Sequence, residues 1–288
     1  MKKHRAAVLV DFWSSLVSIT KEIGQGRDLI RELVIKDLKL RYSRPMLGFF
    51  WALILPLSTV FIFFVVFSLF LKVKVEEAPY ILYLMTAVFT WRFFQDSLSG
   101  AASSLMDNRN LLREARFPAY LIPLSVVLAN GINFLPCLLI MIASAFFMMK
   151  GLPAFVFLLP VVLAIHFLVT AGLSIVFSIL YLKWRDVRYI LETVLTFLFY
   201  LTPAFYSLSF VRTTLSPALF RLYLCNPLTG ILNLYRCSII KDFPGFVVPD
   251  GGIVFAMISP VLFGVLILGG SLYFYKRNRD AIYDHLSY

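Results

Sequence analysis

The sequence predicts an all-α integral membrane protein with six transmembrane helices. An N-terminal interfacial helix precedes them, and a re-entrant outer segment separates spans 5 and 6. Three observations predict this. Of 288 residues, 60% are hydrophobic and only 15% are charged, against about 45–50% and about 25% in soluble domains. The few charges cluster, leaving long runs free of Asp, Glu, Lys and Arg. The Lys and Arg residues also fall unequally on the two sides of a six-span frame. A soluble fold could not cover so much apolar surface. With 14 Gly, 14 Pro and 3 Cys, collagen, disorder and a disulfide scaffold are excluded too.

The first element is basic but not a cleavable signal. Lys2, Lys3 and Arg5 precede a short apolar run, 6–10, which Asp11 interrupts, and no small-residue cleavage site follows. Residues 1–27 read as a cytoplasmic extension and 28–288 as one transmembrane domain. Residues 27–42 carry charges at 28, 32, 36 and 39 on one helical face. Leu29, Leu33, Val34 and Leu38 supply an apolar side, into which Asp37 and Arg41 intrude as an i, i+4 pair. This suits a helix lying in the membrane interface, either a plain anchor or the frame of a cytoplasmic channel entrance. Arg44-Pro45 ends it, because the residue before proline avoids the helical region.

The spans follow. Runs 46–71, 117–149, 151–182, 193–211 and 251–275 contain no charge, and about 20 apolar residues cross the roughly 30 Å of hydrocarbon. A sixth, 79–98, is interrupted only by Arg92 and Asp96. These two, four apart, read as a mutual pair facing protein or water. Six spans put both termini on one side. That side carries 19 Lys and Arg and the other 7, with Arg92 inside span 2. The basic side is therefore predicted to be cytoplasmic. Anionic lipid and topology account for the net charge of +11, and no motif supports nucleic-acid binding.

Between the spans, Asp107 to Phe117 reads DNRNLLREARF. It is either an ordinary cytoplasmic turn or a short helix with apolar anchors in a charged rim, shaped to dock into a partner. Trp184-Arg185-Asp186 opens the loop after span 4. His166, mid-span with no carboxylate in its run, reads as a buried structural histidine. Thr202-Pro203 breaks or kinks span 5. Asn226-Pro227 is a helix-start signature. Ile231, Leu234, Tyr235, Ser238 and Ile239 then recur at helical spacing, as in a re-entrant helix whose backbone needs protein or water cover. Phe205, Tyr206, Tyr223 and Tyr235 form either an interfacial aromatic belt or stacking faces for sugars. Cys225 and Cys237 share the outer segment, and Cys137 reads as core filler.

No G-x-x-x-x-G-K-[ST], H-E-x-x-H, C-x-x-C or G-x-S-x-G occurs. The chain therefore lacks the usual nucleotide loop, and no metal site is indicated.

Several segments together resemble one family, the membrane subunit of polysaccharide-exporting ABC transporters of the ABC-2 type. The likeness lies in Arg41-Tyr42, Leu47-Gly48, Trp51 and Pro56, then NLLREARFP at 110–118 and Arg185-Asp186-Val187. It continues in YLTPAFY at 200–206 and NPLTGILNLYR at 226–236. It implies an exporter half in a bacterial inner membrane, without its own ATP site. A second copy and two ATP-binding cassette subunits, which hold ATP and Mg, would complete it. The cargo would be a glycan on a polyprenyl lipid. Asn110, Leu111, Leu112, Arg113 and Arg116 would form the coupling helix. Asp37, Arg41, Tyr42, Arg185 and Asp186 would gate the cytoplasmic entrance. Phe49, Trp51, Phe89, Trp91, Arg92, Tyr200, Phe205, Tyr206 and Tyr235 are candidates for the channel lining. An ABC-2 permease for a small molecule, drug or lipid is the alternative. An enzyme acting on polyprenyl-linked sugars finds only Asp186 and Glu192 in its favour.

Overall fold

The structure is a computed structural model. It describes residues 24–43, 48–73, 75, 78–114, 117–243, 252–279 and 282, with the backbone alone for 252–257. Most of the N-terminal extension, the Arg44-Pro45 stop and Arg116 lie outside the described residues. The described residues form helices joined by short turns, with no strand among them.

Helix α1 (Arg27–Tyr42) follows the amphipathic pattern and buries Ile30, Leu33 and Val34. A 3-10 turn, Gly48–Phe50, leads into α2 (Trp51–Phe63), which continues as a π-helical stretch, Phe64–Phe70. Then come α3 (Tyr80–Asp107), the short α4 (Arg109–Glu114) and α5 (Leu121–Met149). A 3-10 turn, Ala154–Leu158, starts α6 (Leu159–Lys183). The last five helices are α7 (Val187–Leu201), α8 (Leu208–Thr214), α9 (Pro217–Leu224), α10 (Pro227–Ile239) and α11 (Gly252–Arg277).

Among the described residues, four helical stretches are long and apolar enough to cross a membrane: Gly48–Phe70, Leu121–Met149, Ala154–Lys183 and Ile258–Arg277. The chain is a multi-pass membrane protein. Predicted spans 2 and 5 stand apart for different reasons. Helix α3 is 28 residues long but more polar, and 19 of those residues are buried. It is the central helix, covered by protein rather than lipid, so its serines, threonines, Arg92 and Asp96 need no lipid-facing position. Thr86 and Ser104 bond back to the carbonyls of Tyr83 and Ala101, both at 2.7 Å. Run 193–211, in contrast, is not one helix. Helix α7 has 15 residues, about 22 Å of rise, and the chain unwinds at Thr202 as the proline signal predicts.

The apolar residues form two clusters. One surrounds α3 with α5, α6, α7 and α10. The other gathers Ile30, Leu33 and Val34 of α1, Leu112 of α4, Tyr120, Leu182 and Tyr275. Lys36 Nζ donates to Asn108 Oδ1 at 2.8 Å, Lys183 Nζ to Asn278 Oδ1 at 2.8 Å, and the Ala119 N–H to the Tyr275 hydroxyl at 3.0 Å. The basic segments after spans 2 and 4 and the end of α11 thus meet α1 at one end of the bundle.

Helix α10 lies within the bundle, with 11 of its 13 residues buried. Asn226 caps it, its side chain accepting from the Leu228 N–H at 3.0 Å, and Pro227 takes the first helical position. Arg236, counted from sequence among the outer basic residues, is instead fully buried. Cys225 is exposed and Cys237 buried, and the two are not bridged.

Candidate functional site

Four segments enclose a cavity of about 440 Å³: the last turn of α1, the first turns of α2, the middle of α3 and the middle of α5. Its polar side begins on α1. Helical spacing places Asp37 and Arg41 one turn apart, and Arg41 Nη2 donates to Asp37 Oδ2 at 3.3 Å. Arg41 Nη1 reaches across to Asn130 Oδ1 on α5 at 2.7 Å. Asn130 is itself fixed, because its Nδ2 donates to the Val126 carbonyl at 3.1 Å. On α3, Arg92 Nε lies 3.7 Å from Asp96 Oδ2, one turn on, as the i, i+4 pairing predicts. Arg41, backed by Asp37, and the Arg92–Asp96 pair therefore line one cavity.

Asn133 borders the same cavity, but its amide oxygen and nitrogen are buried beneath the surface, without a hydrogen-bond partner among the described residues. A buried amide without partners is costly. The other side is aromatic and apolar, with Trp51, Phe89, Phe93 and Phe134. Phe93 and Phe134 stack at 5.4 Å, and Tyr42 meets Phe49 edge-on at 5.3 Å. Burial pushes the Tyr42 phenol above its ordinary pKa, against the pull of the Arg41 guanidinium, so it stays a neutral hydroxyl. The surface offers cations, a carboxylate, neutral amides and ring faces side by side.

The structure brings some predicted site residues together and separates others. Arg41, Tyr42, Trp51, Phe89 and Arg92 line the cavity, with Asp37 behind Arg41 and Phe49 against Tyr42. Arg185 and Asp186 are exposed in the turn before α7 and lie elsewhere. Trp91 faces away from the cavity, packing on Phe94 and Phe199 at 5.7 and 5.1 Å. The reason is helical geometry, since residues two apart point to nearly opposite sides. Phe205 is buried against Phe63 and Phe67, at 4.8 and 4.7 Å. Tyr235 is fully buried between Phe134 and His166. These three belong to the interior of the chain's own helical packing. Tyr200 is exposed on α7, and the Tyr206 hydroxyl donates to its carbonyl at 2.9 Å.

Helix α4 divides the predicted coupling segment. Asn110 and Arg113 are exposed and Leu111 is half-buried, while Leu112 is only 4% exposed and packs in the α1 cluster. Leu112 therefore seats α4 against α1, with Leu111, Asn110 and Arg113 on its other faces.

Sequence reasoning missed Asn130 and Asn133. They sit three apart on one face inside a charge-free run, and a search for charges passes over them. Polar amides at helical spacing in an apolar span were the available signal. The Arg41–Asn130 bond ties α1 to α5, and Asn130→Ala should remove it. With a guanidinium about a third exposed, the loss is roughly 1 kcal/mol. Amide hydrogen exchange across α1 should then quicken about fivefold, and unchanged exchange would discount the tie.

The ABC-2 type transporter family matches residues 28–240. The chain is 28% identical over 221 residues to the O-antigen export system permease protein RfbA of Myxococcus xanthus, covering 77% of this chain and 84% of that one. It is 29% identical over 215 residues to an RfbA permease protein of Klebsiella pneumoniae, covering 74% and 81%. A second Klebsiella pneumoniae RfbA is 29% identical over 222 residues, covering 76% and 83%. The matched region begins in the first turn of α1 and runs to the end of α10, so it contains the whole cavity. With most of its length matched in this way, the chain belongs to the ABC-2 type transporter family.

Proposed function

We propose that this chain is the membrane half of an ATP-driven exporter. It moves a polysaccharide, carried on a polyprenyl lipid, across the bacterial inner membrane. The observation that carries the reading is the cavity. Hydroxyl-rich sugars present polar edges to Arg41, Arg92 and Asp96, and C–H faces to Trp51, Phe89 and Tyr42. Contacts of this mixed kind hold a chain weakly at each position, which passage requires. Relatives that are O-antigen export permeases support the same substrate class.

In this reading the chain crosses six times, with α3 and the broken α7–α8 element as spans 2 and 5 and α10 as the re-entrant helix. Both termini and the residue 1–27 extension are cytoplasmic, in keeping with the 19-to-7 charge bias. Two copies form the conduit. The largely uncovered surface of the continuous Gly48–Phe70 stretch, with Phe50, Phe61 and Phe70 exposed, is available for that pairing or for lipid. Two separate cassette subunits bind ATP and Mg and dock on α4.

Deleting the gene should leave lipid-linked glycan on the cytoplasmic face and remove it from the cell surface. Immunodetection of surface glycan, with extraction of the lipid-linked pool, checks this. Normal surface glycan in a strain with no second exporter would overturn the reading.

A further inference from the structure

The break in span 5 is built into a hydrogen-bond network that the cavity does not use. Thr202 to Phe205 are buried, and irregular backbone inside a membrane protein must find partners for its carbonyls. Tyrosine hydroxyls provide three of them. Tyr80 donates to the Phe205 carbonyl at 3.0 Å, Tyr83 to the Tyr206 carbonyl at 2.9 Å, and Tyr206 to the Tyr200 carbonyl at 2.9 Å. Two of the three tyrosines stand at the start of α3.

Tyr83 has a second partner. Arg236 of α10 donates from Nη1 to the Tyr83 hydroxyl at 2.7 Å. Its guanidinium carbon lies 3.4 Å from the centre of the Tyr83 ring, and its Nε donates to Thr86 Oγ1 at 3.3 Å. Arginine can only donate, so the single Tyr83 proton is committed to the Tyr206 carbonyl. One buried hydroxyl thus joins α3, α10 and the unwound segment.

The opposite end of α3 runs through Asn108 into α4. Helix α3 spans about 42 Å and has no internal proline, whereas α2, α5 and α11 carry Pro56, Pro136 and Pro260. One long, centrally packed helix without an internal proline therefore connects α4 to the Tyr83–Arg236 junction.

We propose that Tyr83 and Arg236 are positioning residues that make the outer segment, from the span 5 break through α10, move with α3 when the ATP-hydrolysing subunits displace α4. This rests on the export reading above. Energy passes between sites through contiguous packed and hydrogen-bonded networks, and Tyr83 is where that network crosses from α3 to the outer segment. Tyr80 supports the break at a different carbonyl, that of Phe205.

The chain carries its own reporter. Cys225, at the end of α9 and next to the Asn226 cap of α10, is exposed, while Cys137 and Cys237 are buried. The full-length chain is purified with its ATP-hydrolysing subunits in lipid nanodiscs. Cys225 is then labelled with a bulky maleimide, without nucleotide and after vanadate trapping. The wild-type labelling rate should change about threefold or more, within the range of measured couplings. Tyr83→Phe and Arg236→Met should each lose that change while keeping the bound subunits and their ATP hydrolysis, and Tyr80→Phe should keep it. Combining Tyr83→Phe with Arg236→Met should be no worse than either alone. A wild-type complex whose Cys225 ignores nucleotide, or a Tyr83→Phe complex that responds as wild type does, overturns the link and leaves the export reading standing. A wild-type chain that holds no ATP-hydrolysing subunit overturns both.

Discussion

Leu111→Asp combined with Arg113→Glu should strip the ATP-hydrolysing subunits from the complex and reduce surface glycan to about 1% or less of normal. The effect is large because α4 is short. Six residues give one and a half turns, and the buried Leu112 already commits one face to α1. The remaining face has few anchors, and a few anchors carry most of an interface's energy. A carboxylate in place of Leu111 would be buried unpaired on docking, and Arg113→Glu reverses the rim charge. Co-purification from detergent and immunodetection of surface glycan measure the outcome. Leu112→Ala makes the contrast: it should loosen α4 from α1 by about 2–4 kcal/mol without placing a charge in the docking face. Retained co-purification in the Leu111/Arg113 variant would remove α4 from the coupling role.

Gly172→Leu should prevent accumulation of folded protein in the membrane. Helices α6 and α11 pack backbone to backbone at this point. A Cβ on Gly172 would lie 2.8 Å from the Leu268 nitrogen and 2.9 Å from Ile267 Cγ2. Gly264, on the facing helix, meets side chains instead, Leu168 Cδ2 at 2.6 Å and Val169 Cγ2 at 3.1 Å, which can yield more easily. Small residues are what allow such approach between membrane helices, where packing replaces the hydrophobic drive. The Leu268 contact is to backbone, so the helices themselves must separate. Even Gly172→Ala should cost roughly 1–3 kcal/mol through overpacking. Fluorescence-detected size exclusion with a thermal ramp reads the result. A wild-type melting midpoint for Gly172→Leu would mean the interface is looser than these distances state.

Much of the fold was legible in the sequence because the signals were local. The apolar face of α1, the Thr202-Pro203 break and the Asn226-Pro227 start each depend on a few neighbouring residues, and each is found where the sequence places it. The i, i+4 pairs Asp37–Arg41 and Arg92–Asp96 are local for the same reason. The site was less legible. Phe89 and Trp91 look equivalent in sequence, yet the helix turns one to the cavity and the other to the interior. Tyr235 and Phe205 suggest an outer aromatic surface, yet packing encloses both. Arg236 counts in sequence among the outer-side cations and is instead fully buried against the Tyr83 ring.

The sequence by itself determined that this is a helical membrane protein, where most of its helices start and stop, and which end gathers positive charge. Hydropathy, capping and proline act within a turn or two, so nearby residues suffice to specify them. Only the tertiary structure decided which residues share a cavity. Arg41, Arg92 and Asn130 come from three helices separated by dozens of residues, and their meeting depends on the rotation of each helix about its axis. That rotation is set by packing around α3, down to the missing side chains at Gly172 and Gly264, and no single stretch of the chain encodes it.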